Sequence, residues 1–490
     1  MDPLPAAVAG PRRRTALLGA ALTLAAAAAL LPASATAQPA PVPAPTDSAV
    51  ASASTGGHCA RRDRLKVPGA AHQRTDCLNE LTTAGTIASG HTDPADWAGL
   101  TPKDLPVPRG APGIQIDGYF PDTSTTNTNH GWAHDAQFTI RLPDRWNGGL
   151  VVAGTPGNRE QYANDRAIAD WVLARGYAYA ATDKGNTGTA FHRDGARPGD
   201  AIAEWNTRLT ELTRAARAVV AQRYRRPPAR TLATGISNGG YLVRWQLENH
   251  PELYDGGVDW EGTLWREEGP HLLTFLPAAL RHYPAYAAGG PDAARARAAL
   301  HRAGFPRGSE FLWAYHHQVY WDLTQRLYRE ELDPEYDGPL EAGTPYCAPG
   351  GGRPGCDADY RYAGRPGEVR RAVGRIGLTG RIGKPLITLH GTLDVLLPIG
   401  KDSDVYARMV RQQGRGALHR SYRIEDGTHT DALVDAFPDR LRPLLPCHRS
   451  AFTALEAWLG AGLRPPVSHT VERPAGADPA ALLAHCRLDG

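Results

Sequence analysis

The stretch TLATGISNGGYLVRWQLEN, residues 231–249, decides the fold of this chain. Thr231–Gly235 is a short apolar run closed by glycine, as a buried strand is. Tyr241–Asn249 reads as a helix. Between them stands Gly235-Ile236-Ser237-Asn238-Gly239, which fits G-x-S-x-G. In that motif the serine sits on a sharp strand-to-helix turn with strained backbone, where only small neighbours avoid clashes. A chain with 53 glycines will contain such a pentapeptide by chance, so the strand before it and the helix after it carry the inference. Ser237 is the expected nucleophile; the plain alternative is an incidental Gly-rich turn.

A serine hydroxyl attacks only when a base takes its proton. In a strand–serine–helix architecture the acid follows the serine in the chain and the histidine follows the acid. That order is met. Asp394, in His390-Gly391-Thr392-Leu393-Asp394, comes just after an apolar strand over Pro385–His390. His429, in Asp426-Gly427-Thr428-His429, comes after a strand over Arg420–Glu425. Asp402 and Asp404 are rivals for the acid; Asp259 and Glu261, at the end of an earlier strand, are a second alternative. His390 is expected to pack at its strand end. The oxyanion of acyl transfer needs two preorganised N–H donors. Asn238 should supply one and Thr155 the other, with Gly157 as second choice because Pro156 has no N–H. Substrate contacts are expected from Trp260, Trp313 and Trp321. No metal and no cofactor is expected. His316-His317 could be a metal pair, but adjacent helix residues point apart, so a satisfied polar or packing role is expected. Asp183-Lys184-Gly185-Asn186 is read as a turn bracing the rim of the site.

Outward from this centre, strands and helices alternate. Ile114–Phe120 and Gln137–Leu142 read as an opening antiparallel pair. Gly149–Thr155, Tyr177–Thr182 and Gly257–Trp260 read as further strands. Ile168–Ala174, Asp404–Gln413 and Ala451–Leu459 read as helices. So does the run holding Leu209, Leu212, Ala216, Val219 and Val220, which Pro227 and Pro228 end. Such alternation predicts an α/β fold with a mostly parallel sheet flanked by helices. The stretch 266–374 interrupts the rhythm and is rich in aromatics, among them Phe275, Tyr283, Phe311, Trp313, Tyr320, Trp321 and Tyr328. It is expected to be an inserted helical cap, dividing the core into 58–265 and 375–490.

The N-terminus reads as an export signal over 1–37. Arg12, Arg13 and Arg14 precede an apolar stretch, and Ala35-Thr36-Ala37 resembles a cleavage site. The arginines followed by Leu17-Leu18 fit twin-arginine export. Residues 38–57, rich in Pro, Ala, Ser and Thr, read as a flexible linker. Six cysteines in an exported chain point to disulfides. The short-loop pairings Cys59–Cys77, Cys347–Cys356 and Cys447–Cys486 are favoured, the last tying down the C-terminus. A net charge of +3 with no basic stripe does not suggest nucleic acid as a partner. No second apolar run is long enough to hold the mature chain in a membrane.

From about Ile114 to Leu459 these elements resemble the α/β-hydrolase fold. Within it, Gly149–Arg159, WVLARGYAYAATDKGN at 171–186, Gly235–Tyr241 and PELYDGG at 251–257 are similar to the tannase/feruloyl-esterase and extracellular 3-hydroxybutyrate-oligomer hydrolase group. The resemblance implies a secreted esterase with a large cap; the triad predicts an acyl-enzyme, and the aromatic cap suggests a hydrophobic or aromatic-faced substrate such as hydroxyalkanoate oligomers or phenolic esters. Tannases pair a cysteine before the catalytic serine with one before the histidine; here Ile236 and Thr428 stand there. The calcium-binding loop of some tannases is not recognisable, and the oligomer hydrolases are longer. Acyl group, alcohol group and oligomeric state are left open. A serine peptidase or amidase would use the same triad. It would favour an acidic cluster, for which Glu160, Asp259, Glu261, Glu267 and Glu268 are candidates. A non-catalytic exported binding protein is the third reading.

Overall fold

Valine, alanine and tyrosine fill the central strands, and on both faces they must be covered, because a parallel sheet is apolar on each side. The computed structural model describes residues 59, 64–336, 357–476 and 478–489. Its strands are β1 (His72–Leu78), β2 (Gly113–Tyr119), β3 (Gln137–Pro143), β4 (Gly149–Gly154), β5 (Ala178–Thr182), β6 (Arg230–Ile236), β7 (Gly256–Trp260), β8 (Leu386–Gly391), β9 (His419–Ile424) and β10 (Thr470–Val471). They form one sheet in the order β1-β2-β3-β5-β4-β6-β7-β8-β9-β10. Pairing is antiparallel from β1 through β3 to β5 and parallel from β5 onward.

Alternation along β4 shows how the two faces are filled. Val152 joins a cluster with Ala180, Ala233, Trp205, Leu209 and Leu242, under helices α1 (Asp200–Tyr224) and α2 (Asn238–Asn249). Val151 and Ala153 face the other way, into a cluster with Leu232, Val258, Val172, Phe452 and Leu455. That side is covered by Asp170–Ala174 and by the long helix Leu445–Ala461.

Between β7 and β8 the chain leaves the sheet for the helices Leu272–Ala287, Ala293–Ala303, Glu310–Val319, Trp321–Leu332 and Gly367–Arg375. Their apolar side chains belong to the same buried cluster as α1 and α2. The insertion is therefore packed onto the sheet's helical layer, not on itself alone. Trp321 Nε1 donates to Val395 O at 2.8 Å, and Gly199 N donates to Glu331 O at 3.0 Å.

Cys59 is bonded to Cys77 and Cys447 to Cys486. The expected Cys347–Cys356 pair, the leader and the linker lie outside the described residues. Among the described residues no helix is long and apolar enough to cross a membrane.

Candidate active site

The turn at Ser237 follows from glycine. A Cβ on Gly239 would stand 2.0 Å from Gly154 O, and one on Gly235 would stand 2.5 Å from the carbonyl carbon of Gly239. The start of α2 thus lies directly against the ends of β4 and β6, closer than any side chain allows. The chain must reverse within one residue, and Ser237 takes up the reversal with φ 58° and ψ −119°. A non-glycine residue holds such a conformation only when its surroundings enforce it. Here Ser237 N donates to Trp260 O at 2.9 Å, and Ser237 O accepts from Tyr241 N and Thr263 N. The strained turn leaves the serine side chain partly exposed at the carboxyl end of the sheet.

His429 Nε2 lies 3.0 Å from Ser237 Oγ, and its Nδ1 lies 2.8 Å from Asp394 Oδ2. The sheet brings these three together from the loops after β6, β8 and β9. Asp394 is held from behind: its Oδ1 accepts from Leu396 N and Leu397 N at 2.7 and 2.9 Å. Two further groups crowd the same imidazole. Glu261 Oε2 is 3.3 Å from His429 Nδ1, and His390 Nε2 is 3.3 Å from Asp394 Oδ2. His390, expected only to fill space at its strand end, is also hydrogen-bonded to Leu397 O and, through Nδ1, to Ser403 Oγ.

Burial disfavours an imidazolium at His429, but the Asp394 carboxylate, with Glu261 beside it, outweighs burial and raises the histidine above its ordinary value. Burial likewise works against the Asp394 anion, and His429 and His390 overcome it, so Asp394 stays well below the usual carboxylate range. Glu261 goes the other way, pushed up by burial and then by the charge of Asp394.

The rival acids have other partners. Asp402 takes Arg244 Nη1 at 2.8 Å and Leu264 N at 2.7 Å. Asp404 pairs with Arg423. Asp259 takes Arg244 Nε at 2.6 Å. With Asp259 bound to Arg244 and Glu261 turned onto His429, the supposed acidic cluster for a substrate amine is divided.

Thr155 follows β4, and its hydroxyl donates to Thr182 O at 3.0 Å. Asn238, on the first turn of α2, reaches with its side chain to Gly157 O at 3.0 Å, to Tyr328 Oη on the insertion, and accepts from Thr263 Oγ1 at 3.0 Å. Sequence reasoning missed Tyr328; its signal was only one more aromatic in an aromatic segment. Asp183 accepts from Asn127 Nδ2 and from the N–H groups of Gln137 and Gly185.

The three tryptophans do not stand as expected. Trp260, Trp313 and Trp321 are each 0% exposed. Trp260 points to the opposite face of the sheet, near His448. Trp313 packs against Tyr286 and His301, and Trp321 against Phe305 and Tyr283. A buried tryptophan usually finds a partner for its indole N–H, and here Trp313 Nε1 donates to Ser309 Oγ at 3.0 Å and Trp321 Nε1 to Val395 O, which fixes both rings inside the core. His316 Nδ1 meets Leu312 O at 3.0 Å, and His317 packs against the Tyr283 ring. Among the described residues, only Glu261, Asp394 and His429 bring three potential metal-ligand atoms together.

The sheet order, the helical layers on both faces and the glycine-locked turn at Ser237 define an α/β-hydrolase fold. Residues 122–259 match the family described as tannase and feruloyl esterase. The D-(-)-3-hydroxybutyrate oligomer hydrolase of Cupriavidus pinatubonensis (strain JMP 134 / LMG 1197) is 33% identical over 91 residues, which make up 18% of this chain and 13% of that protein. Among solved structures, feruloyl esterase B from Aspergillus oryzae is 11% identical with a TM-score of 0.48, covering 83% of this chain and 90% of its own. Tannin acyl hydrolase from Aspergillus niger is 12% identical with a TM-score of 0.49, covering 80% of this chain and 83% of its own.

Proposed function

We propose that this chain is an exported serine carboxylic-ester hydrolase that works through an acyl-enzyme. The observation that carries the reading is the relay Ser237 Oγ–His429 Nε2–Nδ1–Asp394 Oδ2, with gaps of 3.0 and 2.8 Å. Neutral His429 takes the proton of Ser237 as Oγ attacks the ester carbonyl. Asp394 holds the imidazole with Nδ1–H pointing at itself and stabilises the cation that forms. The imidazolium then protonates the departing alcohol, and water repeats the sequence on the acyl-serine. The amides of Asn238 and Thr155 are assigned to the oxyanion.

Esters are favoured over amides because residues 122–259 match a tannase and feruloyl esterase family and a short segment resembles an oligoester hydrolase. Hydroxyalkanoate oligomers and phenolic esters are the substrate classes those relatives suggest. Export is supported by the leader-like start of the sequence and by the two disulfides, which an oxidising compartment maintains. The test is a panel of p-nitrophenyl esters of graded acyl length beside aminoacyl-anilides. Ester turnover that disappears in Ser237→Ala supports the reading; anilide turnover exceeding it would select the peptidase.

A further inference from the structure

Glu261 enters the site one residue beyond Trp260, in a left-handed backbone conformation with φ 52°. A glutamate stays there only under constraint. Its N–H donates to Leu389 O at 2.8 Å, and its Oε1 accepts the N–H of Gly391 at 2.6 Å. The side chain is 0% exposed. These contacts aim Oε2 at His429 Nδ1, the nitrogen that Asp394 also meets, at 3.3 Å. Oε2 is buried with no hydrogen bond of its own. A buried carboxylate oxygen left bare is costly unless a charge stands beside it. The imidazole of His429 is the group in reach.

Resting on the reading of His429 as the base, we propose that Glu261 is a second carboxylate partner of His429. It is a positioning residue that adds its charge to that of Asp394 and can take over the Nδ1 contact when Asp394 is lost. The titratable groups facing it are Asp394 and His390 from the segment at the end of β8, and His429 and Asp431 from the loop after β9. Burial and the Asp394 charge push Glu261 up to about 7, so its charge changes within the range where esterases are assayed. When ionised, it favours the imidazolium and holds back the neutral base. When protonated, it releases His429 to titrate lower.

The competing role is purely structural, with Glu261 serving only to tie Gly391 to the end of β7. Glu261→Gln separates the two, because the amide oxygen can still accept from Gly391 while the charge is gone. The experiment measures kcat/KM for p-nitrophenyl butyrate from acid to alkaline pH in wild type, Glu261→Gln, Glu261→Asp, Asp394→Asn, Asp394→Asn with Glu261→Gln, and Ser237→Ala. Each protein's melting curve is recorded alongside. Activity needs the neutral base, so the acid limb marks the His429 titration. Removing a negative charge near it should move that limb down by about 1 pH unit. Glu261→Asp, which keeps the charge, should leave the limb near its wild-type position. Asp394→Asn should keep residual activity that the double variant lowers by roughly a further 10-fold. An unmoved limb in Glu261→Gln, or a double variant no slower than Asp394→Asn, overturns the proposal. Undiminished turnover in Ser237→Ala overturns instead the triad reading beneath it. If Glu261→Gln does not fold, the comparison of Glu261→Asp with wild type in the Asp394→Asn background decides: a lost residual activity supports a distance-dependent partner, an unchanged one contradicts it.

Discussion

Lys184 Nζ donates to the hydroxyl of Thr155 at 2.6 Å, and that hydroxyl donates in turn to Thr182 O at 3.0 Å. Lys184 Nζ also donates to Arg159 O at 3.2 Å and lies 5.4 Å from the centre of the Trp205 ring. The lysine is fully buried, and burial lowers its pKa despite the neighbouring Asp183. It ties the turn after β5 to the loop after β4, where the second oxyanion amide is assigned. Lys184→Met should therefore lower kcat for esters by roughly 10- to 100-fold, with KM less affected, because a small displacement of a donor is felt mainly in the transition state. Steady-state kinetics check this; a variant with changed KM and unchanged kcat would mean that the lysine serves ground-state binding.

Trp321 is enclosed by Phe305 and Tyr283 and bonded to the carbonyl of Val395, the residue after Asp394. Trp321→Ala should cost about 3–5 kcal/mol of stability, as large-to-small changes in cores do. It should lower kcat/KM for short and long acyl esters by the same factor, since the ring touches the acid's loop and not a cleft. Denaturant midpoints and a two-substrate comparison decide it. Loss confined to one acyl length would return Trp321 to a pocket wall.

His448 lies under the strand that carries the serine, with its Nε2 2.7 Å from Thr234 Oγ1. Burial lowers it to about 3. An unfolded histidine titrates near 6.5, so below that pH the unfolded chain binds a proton that the folded chain refuses. Stability contributed this way is complete above about pH 6.5 and is lost as pH falls toward about 3. His271 and His419, lowered by burial in the same way, add to the slope. Between pH 7.5 and 5 His448 alone should account for about 2 kcal/mol. His448→Gln should flatten the dependence of the urea midpoint on pH by that share; an unchanged slope would show that the ring is protonated in the folded chain.

Much of the candidate site was legible because its signals are local. Gly235, Ser237 and Gly239 sit within one pentapeptide, and the close approach to Gly154 explains each glycine. Asp394 and His429 follow apolar strands, whose period and length are visible in sequence. The edge strand β1 was not, because HQRTDCL has no apolar alternation; its place comes from pairing with β2 and from the Cys59–Cys77 bond. Nor could sequence separate a core tryptophan from a pocket tryptophan. Trp260, Trp313 and Trp321 have the composition of a wall, but which face each ring takes is settled by tertiary packing. Glu261 was visible as a rival to Asp394 and as one of several acidic candidates, but sequence order cannot show two carboxylates reaching one imidazole.

Trapping decides whether Ser237 is the nucleophile. The folded protein is incubated with phenylmethylsulfonyl fluoride until ester hydrolysis stops, and the labelled peptide is identified by mass spectrometry. One sulfonyl group per chain is expected, on Ser237, with no label in Ser237→Ala or after His429→Ala removes the base. A label on another residue accompanying the loss of activity, or undiminished hydrolysis by Ser237→Ala, would contradict that assignment.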